Sequence, residues 1–210
     1  MATMFKPRFI LISIGNPLPE YTNTLHSAGH IGLIGLQKTL QLPPFQTTKL
    51  TKKEHYMMTE GPKYTLVQSP TYMNISGRFV AGIWRHMMTI HEPSNLSLVV
   101  VHDNIDRILG DVRLTAWDLS PRGHNGLVSV KAQLSQGSFP QSPMLRMGIG
   151  IGRPPQRDSE TISNYVLSKM PSEKQRVLEQ EVPVSMAKKL LELEETWRKQ
   201  VEQPGVSETK

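Results

Sequence analysis

The sequence predicts a single α/β domain built on a twisted mixed sheet, with a parallel centre and helices on both faces. Three observations support this prediction. Apolar runs rich in β-branched residues alternate with amphipathic helical segments. Residues 96–101 form a nearly continuous apolar run, which is typical of a strand buried on both faces in the middle of a parallel sheet. Segments 47–68 and 111–115 have the pattern of antiparallel additions to that sheet.

The chain begins with a predicted strand and helix. Residues 8–14 predict the first strand, which ends in an abrupt turn because Pro17 disfavours a helical backbone at Asn16. Residues 22–42 then predict a helix that ends at Pro43. Three glycines weaken this helix, at positions 29, 32 and 35.

The remaining elements follow from the same apolar spacing and turn residues. They are strands at 47–59 and 63–68, a helix at 76–90, the central strand that starts at Leu96, a strand at 111–115, a helix at 124–134, a strand at 144–149 and a loop at 152–160. Ser172 and Gln175 have capping-box spacing, so we expect a C-terminal helical region to open there. Pro183 should break or kink it, and its apolar stripe is Met186, Leu190, Leu193 and Trp197. The domain thus covers residues 1–200, and 201–210 form a polar tail.

The charge of the chain is unevenly distributed. Its net charge is +6, from 24 Lys and Arg against 18 Asp and Glu. Residues 171–210 carry 7 basic and 8 acidic side chains, so the positive excess lies in residues 1–170. A basic body is typical of a protein with a polyanionic partner, and also of an ordinary surface with a basic pI.

The composition excludes several kinds of site. The chain has no cysteine, which excludes a disulfide framework, a zinc–thiolate site and a thiol nucleophile. No apolar run approaches the roughly 20 residues that a membrane-spanning helix needs. The N-terminus carries Lys6 and Arg8, but it is too short for a recognisable transit peptide before the first strand. We therefore expect no membrane contact and a cytoplasmic location, with the mitochondrion as the alternative.

Polar side chains that suit hydrolysis occur in the predicted loops and at element ends. They are Asn16, His26, Asn74, Asp103, His124 and Asn125. Ligands of open α/β sheets bind beyond the carboxyl ends of the strands, and a buried carboxylate such as that of Asp103 needs hydrogen-bond partners. A neutral imidazole can take a proton from water, an Asp can orient it, and Asn amides can donate to an oxyanion. Because no G-x-S-x-G elbow is present, direct attack by water with a histidine as base is the simplest scheme.

Each of these residues also has a purely structural interpretation. A histidine near a helix start, as at His26, is more often a capping or surface residue, and Asn74 and Asn125 suit helix caps. His26 and His30 have the i, i+4 spacing of a metal pair, but neither an H-E-x-x-H glutamate nor a third ligand accompanies them. We therefore expect no metal. Four methionines are expected to fill the core: Met57, Met58, Met87 and Met88.

Six segments resemble, in order, the motifs of the bacterial-type peptidyl-tRNA hydrolase family over roughly residues 8–200. They are Gly15-Asn16-Pro17 followed by Tyr21, then TLHSAG at 24–29, PTYMNISG at 70–77, HDNID at 102–106, GHNGL at 123–127 and RMGIG at 146–150. Each motif alone is weak evidence, but six collinear motifs are highly specific.

The resemblance implies an enzyme that cleaves the ester between a peptide and the 3′-terminal ribose of tRNA, and so recycles tRNA. It implies that His26 is the general base, that Asp103 holds it in its basic form, and that Asn16 distinguishes a blocked α-amino group from a free one. Further substrate contacts would come from Tyr21, Tyr72, Met73, Asn74, His124 and Asn125, and tRNA phosphate contacts from Arg122 and Arg146. It also implies a monomer without cofactor or metal, with peptidyl-tRNA as its partner.

The chain departs from the family pattern at several positions. Leu18 stands at a usual Gly, Leu25 at a usual Arg, Ser27 at a usual Asn and Asn104 at a usual Glu. Residues 116–122 replace a Gly-rich run that contains a basic residue, for which Arg122 or Arg113 would substitute.

Two alternatives to this enzyme exist. The first is a non-catalytic RNA-binding relative, since the family resemblance includes an organellar splicing factor that kept the fold. The second is a hydrolase of another acyl ester. Retention of His26, Asp103 and the three asparagines favours the peptidyl-tRNA hydrolase.

Overall fold

The computed structural model describes residues 5–51, 55–156 and 158–202. These residues form a mixed sheet of seven strands in the order β2-β3-β4-β1-β5-β7-β6. The strands are β1 (Arg8–Ser13), β2 (Gln46–Lys49), β3 (His55–Glu60), β4 (Tyr64–Gln68), β5 (Leu96–Asn104), β6 (Val112–Ala116) and β7 (Met144–Gly150). The helices are α1 (Ala28–Thr39), α2 (Ser76–Ile90), α3 (Asn125–Gln133), α4 (Ser159–Leu167), α5 (Ser172–Arg176) and α6 (Val182–Glu202). Within this part of the chain no helix is both long enough and apolar enough to span a membrane.

The sheet has the predicted parallel centre and antiparallel margins. β1 pairs in parallel with β4 and β5, and β5 pairs in parallel with β7. β3 pairs antiparallel with both β2 and β4, and β6 pairs antiparallel with β7. The predicted fold class is confirmed. Segment 47–59 was expected to hold one strand, but it contributes to the two paired strands β2 and β3, and residues 52–54 lie outside the described residues.

The central strands alternate their side chains between two cores, which explains why their sequences are continuously apolar. Phe9 and Leu11 of β1 pack into the core under α1 and α6. Ile10 and Ile12 of the same strand pack into the core under α2 and α3. Helices therefore cover both faces, and nearly all side chains of the four central strands β4, β1, β5 and β7 are buried.

The glycines of α1 bring the helix close to its neighbours. A Cβ atom at Gly29 would lie 3.0 Å from the backbone oxygen of Val101, and one at Gly32 would lie 2.8 Å from the side chain of Ile149. At Gly35 a Cβ would collide with the ring of Pro183 on the neighbouring helical region. These residues lower helix propensity, as predicted, but they also allow α1 to pack tightly against β5, β7 and the C-terminal helix.

The C-terminal third differs from its prediction at three places. Helix α4 was not predicted, and Asp158 caps it by accepting the N–H of Thr161 at 2.8 Å. Helix α5 begins at Ser172, where the helical region was expected to open, but its N-cap is Pro171 and no side chain caps it, so the capping box itself is wrong. Pro183 does not break the helical region: a π-helical turn over Val177–Glu181 leads directly into α6, and the expected kink stays a prediction.

The predicted apolar stripe of α6 is confirmed. Its four residues are all buried: Met186, Leu190, Leu193 and Trp197. Of the predicted tail, Val201 and Glu202 end α6, and residues 203–210 lie outside the described residues. Among the methionines, Met87 is buried and Met58 and Met88 pack against the same core, whereas Met57 is exposed and the core prediction is wrong there.

Replacing Gly77 by alanine is expected to destabilise the protein. A Cβ at Gly77 would collide with the backbone carbonyl of Ser129, across the contact between α2 and α3. Overpacking against backbone typically costs about 1–3 kcal/mol. Urea unfolding should give a lower free energy of unfolding for Gly77→Ala. The matched control is Gly137→Ala, where the new Cβ meets its nearest neighbour at 3.7 Å, so equal losses in both variants would contradict the prediction.

Candidate active site

A cleft of about 1220 Å³ opens at the carboxyl ends of β1 and β5. It is the location that open α/β sheets use for ligands. Every side chain predicted to serve the site lines this one cleft: Asn16, Tyr21, His26, Tyr72, Met73, Asn74, Asp103, Arg122, His124, Asn125 and Arg146. Residues from distant parts of the sequence therefore meet at a single site.

His26 and Asp103 form the centre of the cleft. His26 lies in a short 3₁₀ turn, Leu25–Ser27, directly before α1, and Asp103 is the penultimate residue of β5. Nδ1 of His26 lies 3.0 Å from Oδ2 of Asp103. The Asp103 side chain is only 2% exposed, whereas that of His26 is 22% exposed. The pair thus has its carboxylate inside the protein and its imidazole at the cleft surface.

The environment fixes the protonation states of this pair. Burial by itself raises the pKa of Asp103, but the facing rings of His26 and His124 and their hydrogen bonds lower that pKa well below its usual range. Burial lowers the pKa of His26, but the charge of Asp103 and its hydrogen bond raise that pKa above its ordinary value of 6.5. Nδ1–H of His26 donates to an ionised Asp103, which leaves Nε2 as the basic nitrogen.

His124 makes a second contact to Asp103 that the sequence did not indicate. Its Nε2 lies 3.2 Å from Oδ1 of Asp103, and its Nδ1 accepts the N–H of Leu127 at 3.3 Å. His124 is therefore the N-cap of α3 as well as a partner of the carboxylate. The ring of His102 packs edge-on against His124, with centroids 4.9 Å apart and planes at 83°. The sequence signal for the capping role of His124 is its place directly before the first residue of α3.

His102 and His30 are buried histidines with structural partners. Nδ1 of His102 donates to the carbonyl of Asp103 at 2.6 Å, and burial lowers the pKa of His102 to about 3. Nδ1 of His30 lies 2.7 Å from Oγ of Ser13, and burial lowers the pKa of His30 to about 4. Within the described ranges no group of three or more His, Cys, Asp or Glu side chains has an arrangement that would hold a metal ion.

Three amide side chains line the same cleft as the pair. Asn16 is buried, and its Oδ1 accepts the backbone N–H of Met73 at 3.1 Å. Asn74 is exposed in the short 3₁₀ turn before α2, and Asn125 is exposed at the first helical position of α3. The N-cap positions of α2 and α3 belong to Ile75 and His124, so the cap interpretation of Asn74 and Asn125 is wrong.

The mouth of the cleft has an aromatic and an apolar side. The rings of Tyr21 and Tyr72 form an edge-to-face pair with centroids 6.2 Å apart, and Tyr72 is 49% exposed. Helix α4 adds Ile162, Val166 and Leu167 to the lining. Sequence reasoning missed this apolar side because it did not predict α4.

The two arginines predicted to contact phosphate differ in their surroundings. Arg122 is exposed, with a left-handed backbone at φ 47°. Arg146 is buried in β7 and donates to the backbone oxygens of Ala116 at 3.2 Å and Ser120 at 3.3 Å. Its Nε has no hydrogen-bond partner among the described residues. Arg146 therefore supports the loop at 116–122, and both phosphate contacts stay predictions.

Comparison with known proteins agrees with this geometry. A sequence profile of the family described as Peptidyl-tRNA hydrolase matches residues 10–206. Peptidyl-tRNA hydrolase of Saccharomyces cerevisiae is 35% identical over 188 residues, which are 86% of this chain and 94% of the yeast protein. Peptidyl-tRNA hydrolase of Geotalea uraniireducens is 34% identical over 165 residues, which are 76% of each protein.

The chain belongs to the peptidyl-tRNA hydrolase family. The family predicted from the six motifs is thereby confirmed. The crystal structure of peptidyl-tRNA hydrolase from Acinetobacter baumannii is similar to this one with a TM-score of 0.62 and 28% identity, over 85% of this chain and 84% of that chain.

Three of the departures from the usual peptidyl-tRNA hydrolase motifs have local structural roles. Leu25 is buried in the core beside the His26 turn. Ser27 donates its hydroxyl to the backbone oxygen of Tyr21 at 2.6 Å, and Asn104 accepts the backbone N–H of Asp106 at 2.9 Å. These residues shape the segments on either side of the pair without replacing His26 or Asp103.

Proposed function

We propose that this protein hydrolyses the ester bond that joins a peptide to the 3′-terminal ribose of tRNA, with His26 as the general base. The single observation that carries the proposal is the hydrogen bond between Nδ1 of His26 and Oδ2 of the buried Asp103. It leaves Nε2 of a cleft-facing imidazole free to take a proton. Membership of the peptidyl-tRNA hydrolase family supports the same reaction.

The reaction needs only water and side chains of this chain. Nε2 of His26 takes a proton from water as the water oxygen attacks the ester carbonyl, and Asp103 stabilises the imidazolium that forms. The amides of Asn74 and Asn125 donate to the oxyanion of the tetrahedral intermediate. When the intermediate collapses, His26 returns the proton to the departing ribose oxygen. The products are a peptide with a free carboxyl group and tRNA with a free 3′-terminal ribose.

Asn16 provides a physical basis for choosing a blocked α-amino group. Its Oδ1 is already bound to the N–H of Met73, so the group that Asn16 can offer a substrate is its NH₂ donor. The carbonyl of an acyl or peptide group accepts that donor. A free α-ammonium group has only donors and is repelled, so a blocked substrate is preferred.

The test compares N-acetyl-aminoacyl-tRNA with free aminoacyl-tRNA. Wild-type protein should release the acyl group from the blocked substrate only. Asn16→Asp keeps an acceptor for Met73 but replaces the NH₂ donor by a carboxylate oxygen, which attracts an ammonium group. We expect its selectivity, the ratio of kcat/KM for the two substrates, to fall at least about tenfold.

The control is Asn95→Asp, in the short 3₁₀ turn Pro93–Asn95 directly before β5 and not part of the cleft lining, which should keep wild-type selectivity. Tight tRNA binding without turnover of either substrate would instead support the non-catalytic RNA-binding alternative. Rapid cleavage of simple acyl esters with no preference for tRNA would support the alternative of a general ester hydrolase.

The tRNA body is proposed to bind through phosphate contacts. Arg122 is exposed at the cleft and Arg113 lines it too, and Arg146 orders the loop that presents Arg122. Contacts of this kind are insensitive to sequence and weaken as salt concentration rises.

The cytoplasmic location, with its mitochondrial alternative, and the monomeric state remain predictions. Cell fractionation tests the location, and light scattering tests the monomeric state.

A further inference from the structure

The carboxylate of Asp103 accepts one hydrogen bond on each oxygen, and both donors are histidines. Oδ2 binds Nδ1 of His26 at 3.0 Å, and Oδ1 binds Nε2 of His124 at 3.2 Å. The two imidazoles come from different elements, one from the turn before α1 and the other from the N-cap position of α3. Their ring centroids are 6.0 Å apart, with Asp103 bridging them.

The helix cap determines which nitrogen of His124 carries a proton. Nδ1 of His124 accepts the N–H of Leu127, so that nitrogen is unprotonated. In a neutral ring the proton is then on Nε2, which is the atom that faces Asp103. The backbone of α3 thus fixes His124 as a hydrogen-bond donor to the carboxylate.

We propose that His124 is a positioning residue, which uses the α3 cap to hold Asp103 in the orientation that binds His26. The proposal rests on the hydrolysis proposed above and deepens it, because it assigns His124 to the base and not to the substrate. A side chain that is 13% exposed, with both ring nitrogens engaged by the protein, has little left to offer a ligand.

Asp103 needs this second donor because it is buried. A carboxylate oxygen without a partner in such a place is costly, and the carboxylate would rotate or move to regain one. Rotation would lengthen the bond to His26. The hydrogen bond from His124 therefore holds the carboxylate plane, and it also takes up part of the negative charge that attracts a proton to His26.

The ionisable groups near the two histidines are His102 on β5 and Arg146 on β7. The cleft is also lined by Tyr21, Tyr72, Asp106, Arg107, Arg113, Arg122 and Arg153. The pKa of His102 is lowered to about 3, so that ring stays neutral over the range in which the enzyme would work. Arginine and tyrosine keep their charge states between about pH 5 and 8.

Two variants separate the two bonds of His124. Asparagine is among the best N-cap residues, so His124→Asn keeps the acceptor for Leu127, but its side chain is too short to reach Asp103. Glutamine places its NH₂ near the position of a histidine Nε2, so His124→Gln keeps the donor to Asp103 and loses the cap. The measurements are kcat and the pH profile of kcat/KM for N-acetyl-aminoacyl-tRNA, the NMR titration of the His26 ring, and the thermal midpoint.

His124→Asn should keep the thermal midpoint, lose about tenfold or more in kcat, and shift the His26 titration and the acid limb to higher pH. The sign follows because a carboxylate with one donor fewer attracts the imidazolium proton more strongly. His124→Gln should lower the thermal midpoint but restore the wild-type titration of His26 and most of kcat.

Several results would overturn the proposal. One is an unchanged His26 titration and kcat in His124→Asn. Another is a rise in KM alone, which would make His124 a substrate contact. A third is a shifted His26 titration in His124→Gln, which would overturn the proposal even if the asparagine variant failed to fold. Because the NMR titration needs no substrate, an inactive wild-type protein would refute the proposed hydrolysis without deciding the role of His124.

Discussion

Replacing His26 by alanine is expected to lower kcat for N-acetyl-aminoacyl-tRNA by at least about 100-fold. A positioned general base typically contributes about 10²–10⁴ in rate, and His26 is the imidazole that the buried carboxylate of Asp103 orients toward the cleft. Binding of tRNA should change little, because that affinity depends mainly on phosphate contacts. The measurement is single-turnover release of the acyl group, together with the affinity for deacylated tRNA.

The matched control for this variant is His86→Ala, an exposed histidine of α2 that does not line the cleft. It should retain wild-type turnover. Wild-type turnover in His26→Ala would remove His26 from the mechanism. Loss of tRNA binding together with turnover would show that the imidazole is needed for the substrate to bind and not for the proton transfer.

The central sheet was predictable because its strands are buried on both sides. A strand with a helix on each face is buried on both sides, so β1, β5 and β7 are predominantly apolar, and their few polar residues, such as Ser97 and Arg146, are buried as well. The helix α2 was predicted with its observed bounds, since its buried and exposed residues alternate with helical spacing.

Helix α4 was not predictable in the same way. It follows a Pro-rich stretch, and Val166 is its one buried residue within the described chain. Its other apolar residues, Ile162 and Leu167, face the cleft. A helix that borders a binding site keeps part of its apolar surface uncovered, so its sequence lacks the strong amphipathic pattern of a core helix. The apolar side of the cleft was missed for the same reason.

The meeting of His26 and Asp103 was predictable from topology, and the role of His124 was not. Side chains that follow neighbouring parallel strands gather at the same edge of a sheet, whichever part of the chain they come from. The bond from His124 depends instead on ring orientation and on which nitrogen the α3 backbone occupies. No spacing in the sequence contains that information.

The support that Arg146 gives to the 116–122 loop was not predictable either, because a buried arginine and a phosphate-binding arginine look the same in the sequence.

Replacing Asp103 by asparagine is expected to lower kcat by about 100-fold or more and to move the acid limb of kcat/KM to lower pH. Two effects reduce the rate. The amide can present its NH₂ group to Nδ1 of His26, which favours the wrong tautomer, and it cannot stabilise the imidazolium. The shift has a definite sign, because the charge of Asp103 raises the pKa of His26 while burial lowers it. Without the charge, burial dominates and the His26 pKa falls.

The pH profile distinguishes this mechanism from a structural role of Asp103. A carboxylate that only stabilised the fold would lower activity at every pH and leave the acid limb in place. The control is Asp111→Asn, whose own side chain does not line the cleft and pairs at 3.6 Å with the cleft residue Arg107; it should alter neither kcat nor the limb. The wild-type limb should lie above pH 6.5, the ordinary pKa of histidine, because the net effect of the site on His26 is upward. A limb that stayed at the wild-type position in Asp103→Asn would mean that another group titrates, and the pairing of His26 with Asp103 would no longer explain catalysis.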